Sequence, residues 1–122
     1  MTLHTPAPAL SPQQVRDEIR ARLLDAEGER VVAIYLFGSR AKGTARPRSD
    51  WDVLVVLRDP VGDWDDEDMR LHALFYDAPF AVDLHVFGEA EFMADHDLPG
   101  TLPSIVLRRH ELLHGHPVAA AR

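Results

Sequence analysis

Two short, nearly continuous apolar runs constrain the fold of this chain more than any other feature. They cover Val31–Phe37 and Trp51–Leu57, and both are rich in β-branched and aromatic residues. Runs of this length and composition are typical of strands that are buried on both faces of a sheet. We therefore expect two central strands, connected by the polar, glycine-containing segment 38–50.

The rest of the chain predicts helices around these strands. Ser11-Pro12-Gln13-Gln14 has the form of a helix start with a capping box, and an apolar stripe follows it as far as Gly28. Further helices are expected at about 65–76, 89–94 and 99–109, with a short helix or turn at 40–45. Further strands are expected at 80–87 and 111–114, and a turn at 59–63.

This order of elements predicts an α/β (α+β) fold with a mixed β-sheet flanked by helices. We expect a single domain over residues 1–122, with an ordered core at about 11–114 and flexible tails at both ends.

Composition excludes several classes of function. The chain has no cysteine, which excludes disulfides and thiolate metal sites. It shows no signal-peptide pattern and no apolar stretch long enough to span a membrane, so we expect a cytoplasmic protein without membrane contact. The formal net charge of -7 is not the basic footprint of a nucleic-acid binder, and we expect no direct nucleic-acid binding.

A local cluster of cations stands out against this acidic background. The segment from Arg30 to Ser49 contains no acidic residue, and it holds Arg40, Lys42, Arg46 and Arg48. A basic cluster in an acidic protein favours a small anionic ligand, although a solvated loop could have the same composition.

Asp50 and Asp52 stand at the start of the second apolar run. On an extended backbone, side chains two residues apart point to the same face, about 6.5 Å apart along the strand. Carboxylates so placed can share a cation, and magnesium prefers oxygen ligands. An Asp-x-Asp pair can also cap the amides of a turn, so the motif alone is weak.

Asp83 lies inside the third expected strand, among apolar residues. A carboxylate in such a place is costly unless it is paired or binds a metal. If this strand lies beside the second one, Asp83 joins Asp50 and Asp52, and the three can hold two Mg²⁺ ions about 3.5–4 Å apart. We predict that all three are catalytic and metal-binding, with Asp83 able to take the proton of an attacking hydroxyl.

Gly38 and Ser39 end the first apolar run. A glycine after a buried strand allows a tight turn and a close approach of phosphate, and the amides and hydroxyl that follow can hold an anion. The predicted nucleotide- and phosphate-binding residues are Gly38, Ser39, Arg40, Lys42 and Gly43. The glycines have the spacing of neither a P-loop nor a dinucleotide fingerprint, and an ordinary strand-to-helix turn is the alternative.

These three pieces, Gly38-Ser39-Arg40-Ala41-Lys42-Gly43, Ser49-Asp50-Trp51-Asp52 and Asp83, resemble the signature of the DNA polymerase beta-like nucleotidyltransferase superfamily. The short length and the Gly-Ser-Arg-Ala form look like its minimal nucleotidyltransferase (MNT) branch. The resemblance implies that the Gly-Ser pair positions a triphosphate and that the three carboxylates hold Mg²⁺, with ATP as the substrate. Trp51 departs from the pattern, because the family more often has a smaller aliphatic residue there, and we expect it to pack outward or to shift the rim of the metal site.

The resemblance also implies a biological role. Many minimal members are antitoxins encoded beside a HEPN ribonuclease toxin, and the better-understood ones transfer AMP from ATP to a tyrosine of that toxin. We therefore expect such a toxin as partner, in an oligomer or hetero-complex. Two alternatives stay open: neutralisation by contact alone, and nucleotidyl transfer to a small molecule such as an aminoglycoside.

Histidines add two weaker hypotheses. His110 and His114 are four positions apart, with His116 after them, and histidines at that spacing could share a zinc ion if the segment were helical, although it offers no cysteine and no clear third ligand. His85 shares a strand face with Asp83 and could line the same site, although a packing position in the core or at the rim is the favoured alternative.

Overall fold

The computed structural model describes residues 10–58 and 62–117, which form a four-stranded sheet with helices packed on both faces. The helices are α1 (Pro12–Glu27), α2 (Gly38–Lys42), α3 (Trp64–Ala73), α4 (Glu89–Asp95) and α5 (Leu102–Arg108), and a 3-10 turn at Gly28–Arg30 follows α1. The strands are β1 (Val31–Phe37), β2 (Trp51–Leu57), β3 (Val82–Gly88) and β4 (Glu111–Gly115). The expected tails before Leu10 and after Pro117, and most of the expected turn at 59–63, lie outside the described residues.

The sheet is mixed, as the sequence predicted. Its strand order is β3-β2-β1-β4, in which β1 runs antiparallel to β2 and to β4, whereas β2 and β3 are parallel. Parallel neighbours need a crossover connection, and α3 lies within the one between β2 and β3. The strand that carries Asp83 therefore lies beside β2, as the predicted grouping of Asp83 with Asp50 and Asp52 required.

The central strands β1 and β2 are buried on both faces, and each face has its own core. One core packs α1 and α3 on the sheet, and its largest members include Ile19, Leu23 and Leu71. The other packs α4 and α5 on the opposite face, where the rings of Tyr35 and Phe92 stack with their centroids 5.6 Å apart. No helix among the described residues is long and apolar enough to cross a membrane.

Local signals explain where the helices begin and end. The Ser11 side chain accepts a hydrogen bond from the Gln14 amide, and the Gln14 side chain accepts one from the Ser11 amide, which confirms the capping box. Helix α5 begins at Leu102 rather than at 99, because the Thr101 side chain caps it. Helix α3 ends at Ala73, three residues before the predicted end, and β3 begins at Val82 rather than at 80.

Candidate active site

Strands β2 and β3 bring Asp52 and Asp83 side by side. The two residues are direct partners in the parallel ladder, so their side chains leave the sheet on the same face. Asp52 is partly buried, whereas Asp83 is exposed. Two acids that lie 31 positions apart in the chain thus form a carboxylate pair at the beginning of both strands.

Gly38 lies directly against the Asp52 carboxylate. Its φ of +71° belongs to the left-handed region, which favours glycine. A Cβ added at Gly38 would lie 2.1 Å from Asp52 Oδ2 and 3.1 Å from Asp52 Cγ. Both the backbone conformation and the available space therefore require glycine at this position.

The site concentrates negative charge. Burial raises the pKa of the Asp52 carboxyl, the charges of Asp83 and Asp50 raise it further, and His85 acts in the opposite direction. His85 Nε2 lies 3.4 Å from Asp83 Oδ2, so the strand alternation that predicted a shared face is confirmed. Sequence reasoning left a core position open for His85, and the structure puts it beside an acid of the predicted site.

Magnesium fits this donor set chemically. The predicted ligands are all carboxylates, the oxygen donors that Mg²⁺ prefers, and a bound cation offsets both the burial and the neighbouring charges that raise the pKa of Asp52. Within residues 10–58 and 62–117, no three acidic, histidine or cysteine side chains already converge as a metal-binding group. Asp50 is exposed and lies just before β2, two residues from Asp52.

The predicted phosphate-binding residues form the short helix α2 and its end. Gly38 and Ser39 begin α2, Lys42 is exposed at its last position, and Gly43 ends it with a φ of +75°. Arg40 projects elsewhere, because its guanidinium lies over the Trp51 ring, 4.3 Å from the ring centroid.

Trp51 packs inward, so the expectation that it packs outward is wrong. Its side chain is only 3% exposed and belongs to the core under α1. Arg16 of α1 also lies over the ring, at 5.4 Å from the centroid, and its Nε donates to Glu111 Oε2 at 2.7 Å. The two arginines come from separate helices, α1 and α2, so the large ring is buried in the core with a cation from each helix over it.

A cavity of about 670 Å³ adjoins Asp83 along β3. Its walls include Phe75, Tyr76 and Phe80, and Tyr76 is 77% exposed. Its walls also include Val82 and Leu84, which alternate with Asp83 along β3, so the cavity lies on the α3 side of the sheet and the Asp52–Asp83 pair lies on the other side.

His110 has a packing role in this structure. Its ring meets Tyr35 edge-on at 4.9 Å between centroids, and its Nδ1 lies 3.2 Å from the Val106 carbonyl oxygen. His114 lies in strand β4, so the helical spacing that the zinc hypothesis required is not present.

Comparisons with known proteins identify the family. A sequence model described as the nucleotidyltransferase domain matches residues 14–111, and the chain belongs to this family. No curated protein matches the chain.

Solved structures share the fold. A toxin–antitoxin crystal structure with AMP-PNP is 22% identical, with a TM-score of 0.57, over 83% of this chain and 73% of that chain. The toxin–antitoxin MntA-HepT is 20% identical, with a TM-score of 0.51, over 85% of this chain and 74% of that chain. Spectinomycin adenyltransferase AAD(9) from Enterococcus faecialis, solved with ATP and spectinomycin, is 16% identical, with a TM-score of 0.59, over 88% of this chain and 57% of that chain.

Proposed function

We propose that this chain is a magnesium-dependent nucleotidyltransferase that moves AMP from ATP to a hydroxyl of a partner protein, a tyrosine of a HEPN-type toxin, and so acts as an antitoxin. The observation that carries the proposal is the Asp52–Asp83 pair, held in register on two parallel strands with Gly38 against the Asp52 carboxylate. Family membership supports the reaction class.

In this proposal each part of the site has a separate task. Asp50, Asp52 and Asp83 would hold two Mg²⁺ ions, which would supply Lewis-acid polarisation of the phosphoryl oxygens. Ser39 and Lys42, together with the backbone at the start of α2, bind the triphosphate.

The reaction joins the acceptor oxygen to the α-phosphorus of ATP. The bond from that phosphorus to the bridging oxygen breaks, and pyrophosphate leaves with the bonding electrons. Asp83 takes the hydroxyl proton, since its side chain is 57% exposed and an acceptor hydroxyl can approach it from solvent.

Two features support a protein acceptor. The Asp83 side chain is 57% exposed, so a segment of an acceptor protein can reach its carboxylate. Apolar side chains are exposed near α5, where Leu98 and Ile105 are each 50% exposed, and such residues suit a protein interface. The fold likeness to toxin–antitoxin complexes, one of them with AMP-PNP, supports a toxin partner and ATP.

A small-molecule acceptor is the second candidate, and the fold likeness to spectinomycin adenyltransferase favours it. The test offers both acceptors to the protein. ATP labelled on the α-phosphate is incubated with Mg²⁺, the protein, and either the product of the neighbouring open reading frame or spectinomycin. Label on the neighbouring protein, lost with Asp50→Asn, supports protein nucleotidylation, whereas label on spectinomycin supports the second candidate.

Contact neutralisation without catalysis predicts a different outcome. Here no label is transferred to any acceptor, the complex still forms, and Asp50→Asn combined with Asp52→Asn leaves toxin neutralisation unchanged. Neutralisation that disappears with the double substitution while the complex persists would exclude this alternative.

A further inference from the structure

The contacts of Arg40 are with the protein itself, and a residue that binds phosphate would not need them. Its guanidinium carbon lies over the buried Trp51 ring, 4.3 Å from the ring centroid, and its Nη2 donates to the Ser49 carbonyl at 2.7 Å and to the Pro47 carbonyl at 3.3 Å. Its Nε is buried and has no hydrogen-bond partner among the described residues. A bound molecule cannot reach this buried nitrogen unless the arginine moves, so the Nε edge of the guanidinium faces the protein interior.

The backbone is held on both sides of Asp50. The preceding carbonyl, that of Ser49, accepts from Arg40, and the following amide, that of Trp51, donates to the Ala81 carbonyl at 2.9 Å. Ala81 lies immediately before β3 and two residues before Asp83. The contacts that fix Asp50 therefore also tie it to the strand that carries Asp83.

The turn before Asp50 is closed as well. The Ser49 amide donates to the Arg46 carbonyl at 2.9 Å, and the Arg46 amide donates to Ser49 Oγ at 2.9 Å. Arg40 binds the far end of this turn, so one side chain connects α2, the turn and the start of β2.

We propose that Arg40 and Trp51 form a clamp that positions Asp50 relative to Asp52 and Asp83, and that Arg40 is a positioning residue instead of the phosphate ligand that its sequence motif suggests. This role rests on the proposed function, because Asp50 must have a fixed place for the clamp to matter to transfer. Trp51 provides the flat, buried surface on which the guanidinium is oriented, and cation–π contact with a desolvated ring favours arginine there.

Arg40→Lys separates positioning from phosphate binding. Lysine keeps the positive charge, which is what a phosphate needs, but it lacks the planar fork that stacks on a ring while donating to two carbonyls. The matched control is Arg20→Lys, because Arg20 is exposed on α1 and lies outside the site.

Two measurements are made on each variant. The first is hydrogen–deuterium exchange of a peptide that covers residues 44–52. The second is the kcat and the KM for ATP in AMP transfer to the partner protein. For Arg40→Lys we expect exchange about tenfold faster or more in this peptide, with other peptides unchanged, since two hydrogen bonds from a charged donor are lost. We also expect kcat to fall about 10- to 100-fold with the KM for ATP changed less than about threefold.

The opposite outcomes overturn the clamp. Unchanged exchange at 44–52 would show that Arg40 does not hold the segment, and unchanged kcat with faster exchange would show that its order does not matter to transfer. A raised KM for ATP in Arg40→Ala that Arg40→Lys restores would identify Arg40 as a phosphate ligand. If the wild-type protein transfers no AMP, the proposed function fails, but the exchange measurement still decides whether the clamp exists.

Trp51→Phe provides a second perturbation that does not touch the arginine. The smaller ring keeps the core apolar and reduces the stacking surface, so exchange at 44–52 should rise by a smaller factor than in Arg40→Lys. If Arg40→Lys exchanges faster in every peptide, the variant has lost global stability and cannot test the clamp. The test then rests on Trp51→Phe. Faster exchange confined to residues 44–52 in that variant supports the clamp, and unchanged exchange at 44–52 contradicts it.

Discussion

Gly38→Ala should damage the site by a mechanism whose size follows from the structure. The added methyl group would lie 2.1 Å from Asp52 Oδ2, whereas ordinary contact begins at about 3.4 Å. The carboxylate must therefore move by more than 1 Å, or β2 and α2 must separate. Displacement of a reacting group by about 1 Å can lower a catalytic rate about 100-fold, and we expect a loss of that order in nucleotidyl transfer.

The same substitution also strains the backbone. A φ of +71° costs an alanine about 1–2 kcal/mol relative to glycine. For a domain of this size, that corresponds to a decrease in Tm of roughly 4–10 °C. A loss of stability alone could therefore be mistaken for a loss of catalysis.

Gly100→Ala is the matched control. Gly100 also has a positive φ, of +88°, but nothing lies within 4 Å of a Cβ added there. Both variants should lose stability, as measured by thermal unfolding, and only Gly38→Ala should lose transfer of α-labelled AMP measured well below either Tm. Equal activity in the two variants would refute the conclusion that the Asp52 carboxylate must lie against Gly38.

Three other predictions concern chemistry and stability. Asp83→Asn should abolish transfer and leave the Tm within about 2 °C, because the side chain is exposed; retained activity in the labelling assay would contradict a three-carboxylate site. The hydrogen bond from Arg70 lowers the pKa of Glu27 below its ordinary value of 4.5. The ionised Glu27 therefore stabilises the fold above about pH 4.5, and this stabilisation is lost as the pH falls through the lower pKa of the folded state. Glu27→Gln should flatten the fall of Tm between pH 5 and pH 3, and an unchanged slope would refute the linkage. Phe92→Ala should lower the free energy of unfolding in urea by about 3–5 kcal/mol, against less than about 1 kcal/mol for the neighbouring Met93→Ala, since Phe92 is fully buried and Met93 is 37% exposed.

The fold was predictable where a local pattern determines the structure. The apolar runs marked the central strands, and the Ser11 capping box marked the start of α1, because both signals are complete within a few residues. The alternation in β3 put His85 on the face of Asp83 for the same reason. Element ends were less predictable, since a cap such as Thr101 competes with several nearby candidates.

The surroundings of Trp51 could not be predicted, because they depend on contacts between distant segments. Its ring meets Arg16, which lies 35 positions earlier in the chain, and Arg16 in turn pairs with Glu111, which lies 95 positions after Arg16. Nor does the sequence show that Arg40 turns away from α2 toward the Ser49 carbonyl. The sequence motifs therefore pointed to Gly38, Asp52 and Asp83, which the structure brings together. The orientation of the Arg40 side chain could be seen only in the folded structure.

The central claim is that Asp52 and Asp83 act together in nucleotidyl transfer to a partner protein. The most direct test incubates the wild-type protein and an Asp52→Asn, Asp83→Asn variant with the partner and with ATP labelled either on the α- or on the γ-phosphate, while complex formation is measured in parallel. We predict that the wild type transfers only the α-label, that the variant transfers neither, and that both bind the partner. Transfer of the γ-label, or of the α-label by the variant, would contradict this account.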